Sequence, residues 1–237
     1  MIIRVFMASE ESGVVRYRPE RSYAGSKKTR KEILNAATDV FGEMGFDGAT
    51  TRIIASRAGV TTPVLQYYFG SKEGIFNECT QEIVDFCLNR YDPIIADIEQ
   101  AVLVNDKESA HDSVCALMEK IVETIFSEIS SPGTANLITK IQTTNTPDRS
   151  RRIFSVLESK LHSAVFLTIR LLSDPSVTYE EIALRTHYTL GLALPFQFMR
   201  NAFLPFGQYY TADDEKLIVL KVSVRTHCST LLNSYKS

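Results

Sequence analysis

Apolar residues recur along most of the chain at the spacing of amphipathic helices. Between Ile33 and Met44 they fall at i, i+3, i+4, i+7, i+8 and i+11, which places them on one helix face. Similar stripes continue towards the C-terminal end, and no strand-like alternation interrupts them. The pattern predicts an all-α fold.

Three predicted helices form the N-terminal part of the chain. The first covers about residues 26–45, and the second covers Thr50–Ala58, with Thr50 as its N-cap. Gly59 makes the turn, and Thr61 caps the third helix, which stops at Gly70. Two short helices joined by a glycine-bearing turn form the unit that places a recognition helix in the DNA major groove.

The later helices are longer and are separated by prolines, loops and capping residues. Pro93 is expected to break or kink the first of them, and Thr178 with Glu181 forms a capping box for a later one. The predicted segments are Ser71–Val104, 109–128, 134–143, 149–172, Thr178–Leu204 and Thr211–Tyr235.

Charge divides the chain into two unlike parts. Residues 1–72 carry 11 Lys and Arg against 7 Asp and Glu, whereas residues 73–237 carry 15 against 21. A basic front and an acidic remainder fit a DNA-binding end attached to a body that does not touch polyanions. Ordinary scatter of surface charge is the alternative explanation.

These observations predict three parts: a disordered arm at 1–26, a helix-turn-helix domain at 27–72 and a ligand-binding and dimerisation domain at 73–237. The arm contains four arginines, which favours a minor-groove contact. A floppy extension, or a true start at Met7, explains the same residues.

The composition predicts no cofactor and no metal site. The four cysteines lie in apolar helical patterns without metal-ligand spacing, which indicates buried thiols in a reducing compartment, with redox sensing as the alternative. The start of the chain is too short and too soon charged for a signal peptide, and no stretch has the length of a membrane span. We therefore expect a cytoplasmic protein without membrane contact.

The N-terminal helices resemble the TetR family of bacterial transcriptional regulators. The resemblance covers about Lys28 to Phe76 and rests on ILNAATDVFGEMGFDGATTRIIASRAGVTTPVLQYYFGSKEGIF. The sequence pattern ATTR…YYFGSKE is also similar to that of the CecR-like subgroup. The resemblance implies a homodimer on a palindromic operator, with recognition helices about 34 Å apart, and a C-terminal pocket for an unknown small-molecule effector.

The candidate DNA contacts lie on the second and third helices and at the start of the fourth. Free backbone N–H groups and a cation can hold a phosphate at a helix start, and Gln pairs with adenine. Helix capping is the alternative role of Thr50, and a core position that of Tyr68. The candidates are Thr50, Thr51, Arg52, Thr61, Thr62, Pro63, Val64, Gln66, Tyr67, Tyr68 and Lys72.

The candidate effector pocket is chosen from aromatic and histidine residues of the C-terminal part. Plain core packing is the alternative for each of them, and a satisfied histidine is the alternative for His187. The candidates are Phe126, Phe154, His162, Phe166, His187, Tyr188 and Phe198. The homodimer is expected to form through the last two long helices.

The sequence therefore predicts a DNA-binding transcriptional regulator, with repression relieved by a ligand. The alternative is a helical protein-interaction adaptor that has lost DNA binding, against which the presence of Gln66, Tyr67 and Lys72 argues. An enzyme is not expected, because the sequence has no HExxH, GxSxG or phosphate-loop motif, and no paired catalytic carboxylates at a sensible place.

Overall fold

The protein is described from a computed structural model that covers residues 21–128, 132–193, 195–196 and 214–236. The described secondary structure is helical, which confirms the all-α prediction. The helices are α1 (Arg21–Gly48), α2 (Thr51–Arg57), α3 (Thr62–Phe69), α4 (Lys72–Leu103), α5 (Lys107–Glu123), α6 (Pro132–Thr143), α7 (Asp148–Leu172), α8 (Tyr179–Gly191) and α9 (Glu215–Asn233), with a π-helical turn at Thr124–Glu128 after α5.

Helix α1 begins at Arg21, inside the segment predicted as an arm. Residues 1–20 lie outside the described part of the chain. Gly45 has a φ of 71°, so the regular helix changes direction there, where the sequence predicted its end. The buried stripe of α1 includes Ile33, Val40 and Phe41, and Phe41 meets Phe76 of α4 edge-on at 4.8 Å between ring centres. This contact attaches the N-terminal helices to α4.

Helix α4 is the central element of the fold. It packs against α7, α5 and α1, and its N-cap Ser71 accepts a hydrogen bond from the Gly74 amide. Of the two outcomes predicted at Pro93, a break or a kink, the break does not occur, because α4 continues through Pro93 to Leu103. Burial of Ile95 and Ile98 after the proline accounts for this, since packing outweighs the local preference.

Helices α1 and α6 approach closely at two glycines. A side-chain carbon at Gly42 would overlap the backbone carbonyl of Gly133, and one at Gly133 would overlap Asp39. Only glycine permits this separation of the two backbones. The N-terminal domain is therefore packed directly against α6 as well as joined to α4.

Candidate functional site

The second and third helices are fixed by a short set of local contacts. Thr50 caps α2 through a hydrogen bond from the Ile53 amide to its Oγ1 (3.2 Å), as predicted. The turn uses a positive φ of 66° at Gly59, and the Val60 amide donates to the Ala55 carbonyl at 3.0 Å. Leu65 of α3 is fully buried. Helix α3 is thus held with one face inward and the other free.

The outward face of α3 carries the side chains predicted for base contact. Pro63, Gln66 and Tyr67 are exposed, and Tyr67 as a residue is 84% exposed. Thr62 and Val64 are half-buried at its edges. A helix of 8 residues that leaves an aromatic ring and an amide in solvent has a surface suited to a partner.

The starts of α2 and α3 offer hydrogen-bond donors beside that face. Thr61 occupies the N-cap position of α3, but its side chain makes no capping hydrogen bond. Thr51 is half-buried and Arg52 is exposed at the start of α2. The first amides of a helix lack helical partners and attract anions. The starts of α2 and α3 could therefore bind a phosphate, although their amides do not need one.

Lys72 has a structural role that the sequence did not reveal. Its Nζ donates to the carbonyls of Phe46 at 2.9 Å and Ala49 at 3.1 Å, and lies 4.3 Å from the centre of the Phe46 ring. These contacts fasten the start of α4 to the last turn of α1 and to Ala49, which follows it. An ammonium has three protons, so one remains for an external acceptor.

Tyr68 was considered both as a DNA contact and as a core residue, and its position has features of each. Its side chain is half-buried, and its hydroxyl donates to Ser26 Oγ at 3.1 Å. The ring meets Tyr67 edge-on, with 5.3 Å between the ring centres. Tyr68 therefore links α3 to the start of α1 and supports the exposed Tyr67.

A cavity of about 350 Å³ lies among helices α4 to α8. Most of its lining is apolar, and its polar side chains belong mainly to α6, α7 and α8. It is lined by Cys87, Tyr91, Ile121, Ile125, Ala135, Ile138, Gln142, Phe154, Leu157, Glu158, Leu161, His162, His187, Leu190 and Ala193. A mostly apolar space with a few convergent polar groups is typical of a small-molecule site.

Two histidines are among the polar residues that line this cavity. The rings of His162 and His187 lie 5.3 Å apart between centres. Nδ1 of His187 is 2.7 Å from the Ala183 carbonyl, which can only accept, so Nδ1 carries the proton. Burial, and secondarily the nearby His187, lower the pKa of His162. In its neutral form His187 presents Nε2 as an acceptor.

The remaining pocket candidates do not line the cavity. Phe126 is buried in the core against Phe196, and Phe166 stacks behind His162 at 5.9 Å between ring centres. Tyr188 is 63% exposed on another face of α8. Phe198 lies outside the described residues.

The sequence missed Gln142 and Glu158, which contribute polar groups to the cavity. Glu158 had a detectable signal, because it interrupts the apolar stripe that α7 forms from Phe154 to His162. Gln142 had none, since α6 comes near α7 only in the folded chain.

Helices α8 and α9 expose large apolar side chains. Tyr179, Leu184 and Tyr188 do so on α8, and Ile218, Val219 and Val222 do so on α9. Of the two predicted dimer helices, residues 194, 197–204 and 211–213 lie outside the described part of the chain.

Comparison with known proteins relates the N-terminal helices to a family of regulators. The profile for "Bacterial regulatory proteins, tetR family" matches residues 33–79. The chain is 26% identical over 209 residues to the HTH-type transcriptional dual regulator CecR of Shigella flexneri, covering 87% of this chain and 92% of CecR. The chain therefore carries a TetR-family domain at residues 33–79. The predicted resemblance to this family is confirmed, and so is the prediction of a DNA-binding transcriptional regulator.

Two further proteins match over part of the chain or in fold. The HTH-type transcriptional regulator RutR of Escherichia coli K12 is 42% identical over 76 residues, covering 32% of this chain and 35% of RutR. The structure of AibR in complex with isovaleryl coenzyme A and operator DNA has a TM-score of 0.59 and 16% identity, covering 84% of this chain and 97% of AibR. The likeness to AibR concerns the fold.

The described residues contain no group of His, Cys, Asp and Glu arranged for a metal ion. None of the helices described has the length and apolarity needed to cross a membrane.

Proposed function

We propose that this TetR-family protein is a homodimeric repressor that a small organic ligand releases from a palindromic operator. The observation that carries the proposal is the two-sided α3: Leu65 is fully buried, while Gln66 and Tyr67 are in solvent. The inward side holds the helix rigidly, and the outward side is free to enter the major groove.

Base recognition is assigned to the outward face of α3. Gln66 can make two hydrogen bonds to an adenine edge, and Thr62, Pro63 and Val64 can meet thymine methyl groups. Phosphate contacts are assigned to Thr61, Tyr67 and Tyr68, and at the neighbouring helix starts to Thr50, Thr51, Arg52 and Lys72. The phosphate contacts would fix the position of the protein along the DNA, and α3 would determine which sequence it prefers.

The dimer is assigned to the exposed apolar face of α8 and α9. Three large apolar side chains on each helix are exposed in the single chain, and a second copy would cover them. A two-fold dimer of this kind reads two half-sites related by symmetry, about 34 Å apart. This supports a palindromic operator.

The effector site is assigned to the cavity among α4 to α8. Its volume of about 350 Å³ fits a small organic molecule, and Gln142, Glu158, His162 and His187 can orient a polar end. AibR, which shares the fold, holds isovaleryl coenzyme A. We therefore propose a ligand with a branched or linear apolar part and one polar end.

Two helices lead from the cavity to the DNA-binding domain. Helix α4 contributes Cys87 and Tyr91 to the cavity. It starts at Lys72, next to the recognition unit formed by α2 and α3. Helix α6 contributes Ala135 and Ile138 and abuts α1 at Gly42 and Gly133. A ligand that favours a different α4 and α6 arrangement would thereby lower operator affinity.

The test is selection of bound fragments from genomic DNA by the purified protein, followed by footprinting. We expect a palindrome, and we expect apolar acyl compounds among the molecules that release it. Recovery of no preferred sequence at moderate salt would refute the proposal and favour the protein-interaction adaptor.

A further inference from the structure

A groove of about 610 Å³ lies between the start of α1 and the recognition helix α3. It is lined by Ser26, Lys27, Arg30, Lys31, Tyr67 and Tyr68. Its three cations come from α1, and the proposed function has so far used none of them. The groove therefore places further positive charge along one edge of the proposed DNA surface.

Carboxylates of α4 hold two of these cations. Arg30 Nη2 lies 2.6 Å from Glu78 Oε2, and Lys31 Nζ lies 2.9 Å from Glu82 Oε2. The Arg30 guanidinium also lies 5.3 Å from the centre of the Phe69 ring. The cations are thus oriented at the groove by partners from two other helices.

Both ion pairs are exposed, and exposed pairs are weak and screened by salt. The four side chains keep between 36% and 60% of their surface, so water and external anions reach them. A duplex carries one phosphate charge per ~1.7 Å of helix axis, which makes it a strong competitor for the same cations. Arginine matches a phosphate with two donors as well as it matches a carboxylate.

We infer that this groove binds a backbone phosphate of the operator, and that Glu78 and Glu82 compete with that phosphate for Arg30 and Lys31. The inference rests on the proposed function. The carboxylates keep the cations ordered without DNA and weaken the complex, because each pair must open before the phosphate is bound. Glu78 and Glu82 therefore set the operator affinity from outside the recognition helix.

The first test measures operator binding of the Arg30→Gln/Lys31→Gln variant by fluorescence anisotropy between 50 and 200 mM salt, a range of about fourfold. We expect roughly tenfold weaker binding and a salt slope smaller by about 1 for each cation that no longer binds a phosphate. Lys160→Gln is the matched control, since Lys160 also pairs with an α4 carboxylate, Asp92, at 2.8 Å. It lies away from the groove and should leave both quantities unchanged.

The second test removes the competitors. Glu78→Gln and Glu82→Gln should each tighten operator binding by roughly two- to fivefold, the range of an exposed ion pair. Asp92→Asn is the control for general loss of negative charge. In a double-mutant cycle, Glu78→Gln should have no effect once Arg30 is Gln, because its action passes through Arg30.

The outcomes separate this inference from the proposed function. If the wild-type protein selects an operator but the Arg30→Gln/Lys31→Gln variant binds it like Lys160→Gln, the inference fails and the function stands. A gain from Glu78→Gln that persists in the Arg30→Gln background also overturns the competition. If the wild-type protein selects no operator, the proposed function itself fails. Urea unfolding midpoints establish that each variant is folded.

Discussion

Ser150 of α7 donates a hydrogen bond to Asn77 of α4, with 2.5 Å between Oγ and Oδ1 and both side chains buried. The two residues are 73 positions apart, so this bond joins the DNA-proximal part of α4 to the start of the helix that lines the cavity. Buried polar groups are costly when left without a partner.

Ser150→Ala should therefore lower the free energy of unfolding by about 1–3 kcal/mol, because the Asn77 carbonyl oxygen loses its donor. The double change Asn77→Leu/Ser150→Ala should recover part of that loss, since both polar groups are then removed. Urea titration measures both effects. An unchanged midpoint in Ser150→Ala would mean that water replaces the bond.

The contact between α1 and α6 predicts a strong effect of one methyl group. Gly133→Ala should destabilise the protein by about 1–3 kcal/mol, because the added carbon must displace Asp39 and the helices must separate. Gly191→Ala in α8 is the control. A side-chain carbon there meets nothing within 4 Å, and alanine should stabilise the helix by up to about 1 kcal/mol. Equal thermal unfolding of the two variants would contradict the close approach.

Gln66→Ala should alter sequence preference more than affinity for DNA in general. If Gln66 pairs with an adenine, its loss costs about 1–3 kcal/mol at one base pair and relaxes selection there. Binding to a library of operator variants measures this directly. The control is Gln81→Ala on α4, whose amide pairs with Asp85 at 2.8 Å away from α3. Unchanged preference in Gln66→Ala would remove the residue from base recognition.

Lys72→Met separates the two functions of this lysine. Methionine keeps an apolar stem near Phe46 but loses the hydrogen bonds to two carbonyls, so stability should fall by about 1–3 kcal/mol. If the third proton contacts a phosphate, the salt slope of operator binding should also fall by about 1. Reduced stability with an unchanged slope would leave Lys72 with the structural role alone.

The lowered pKa of His162 predicts that the stability of the folded protein decreases in acid. Because the folded state disfavours the charged ring, the unfolded chain binds more protons at low pH. Stability should be constant above the ordinary histidine pKa of about 6.5 and should fall as pH decreases below it. His162→Gln should lessen this dependence in urea titrations between pH 5 and 8 (a range of about three units). Identical pH profiles of the two proteins would refute the assignment.

The recognition unit could be predicted from sequence because its determinants are local. Thr50, Gly59 and Ser71 act within a few residues of themselves, through a cap, a turn and a second cap. Lys72 shows the limit of this reasoning, since its charge was evident but its carbonyl partners lie 23 and 26 residues earlier in the chain.

The cavity could be predicted only in part because five helices from different parts of the chain form it. His187 lines it and Tyr188 does not, although they are neighbours, because adjacent residues on a helix point about 100° apart. The periodicity identified a helix there but did not decide which side would face α7. The proposed dimer face could also be predicted only in part, because apolar residues predict burial without identifying the partner that buries them.

The position of Pro93 determines where α4 is mechanically soft. A proline lacks the amide that would bond to the carbonyl four residues earlier, so bending costs least near that point. The missing bond is the one to the Asn89 carbonyl, so the soft stretch runs from Asn89 to Pro93 and includes the cavity residue Tyr91. The roughly 26 Å of helix between Lys72 and Asn89 contains no proline and is stiffer. If the proposed effector binds at Tyr91, it contacts α4 where bending is easiest, and a change of bend there would move the stiff part of α4 that ends at Lys72.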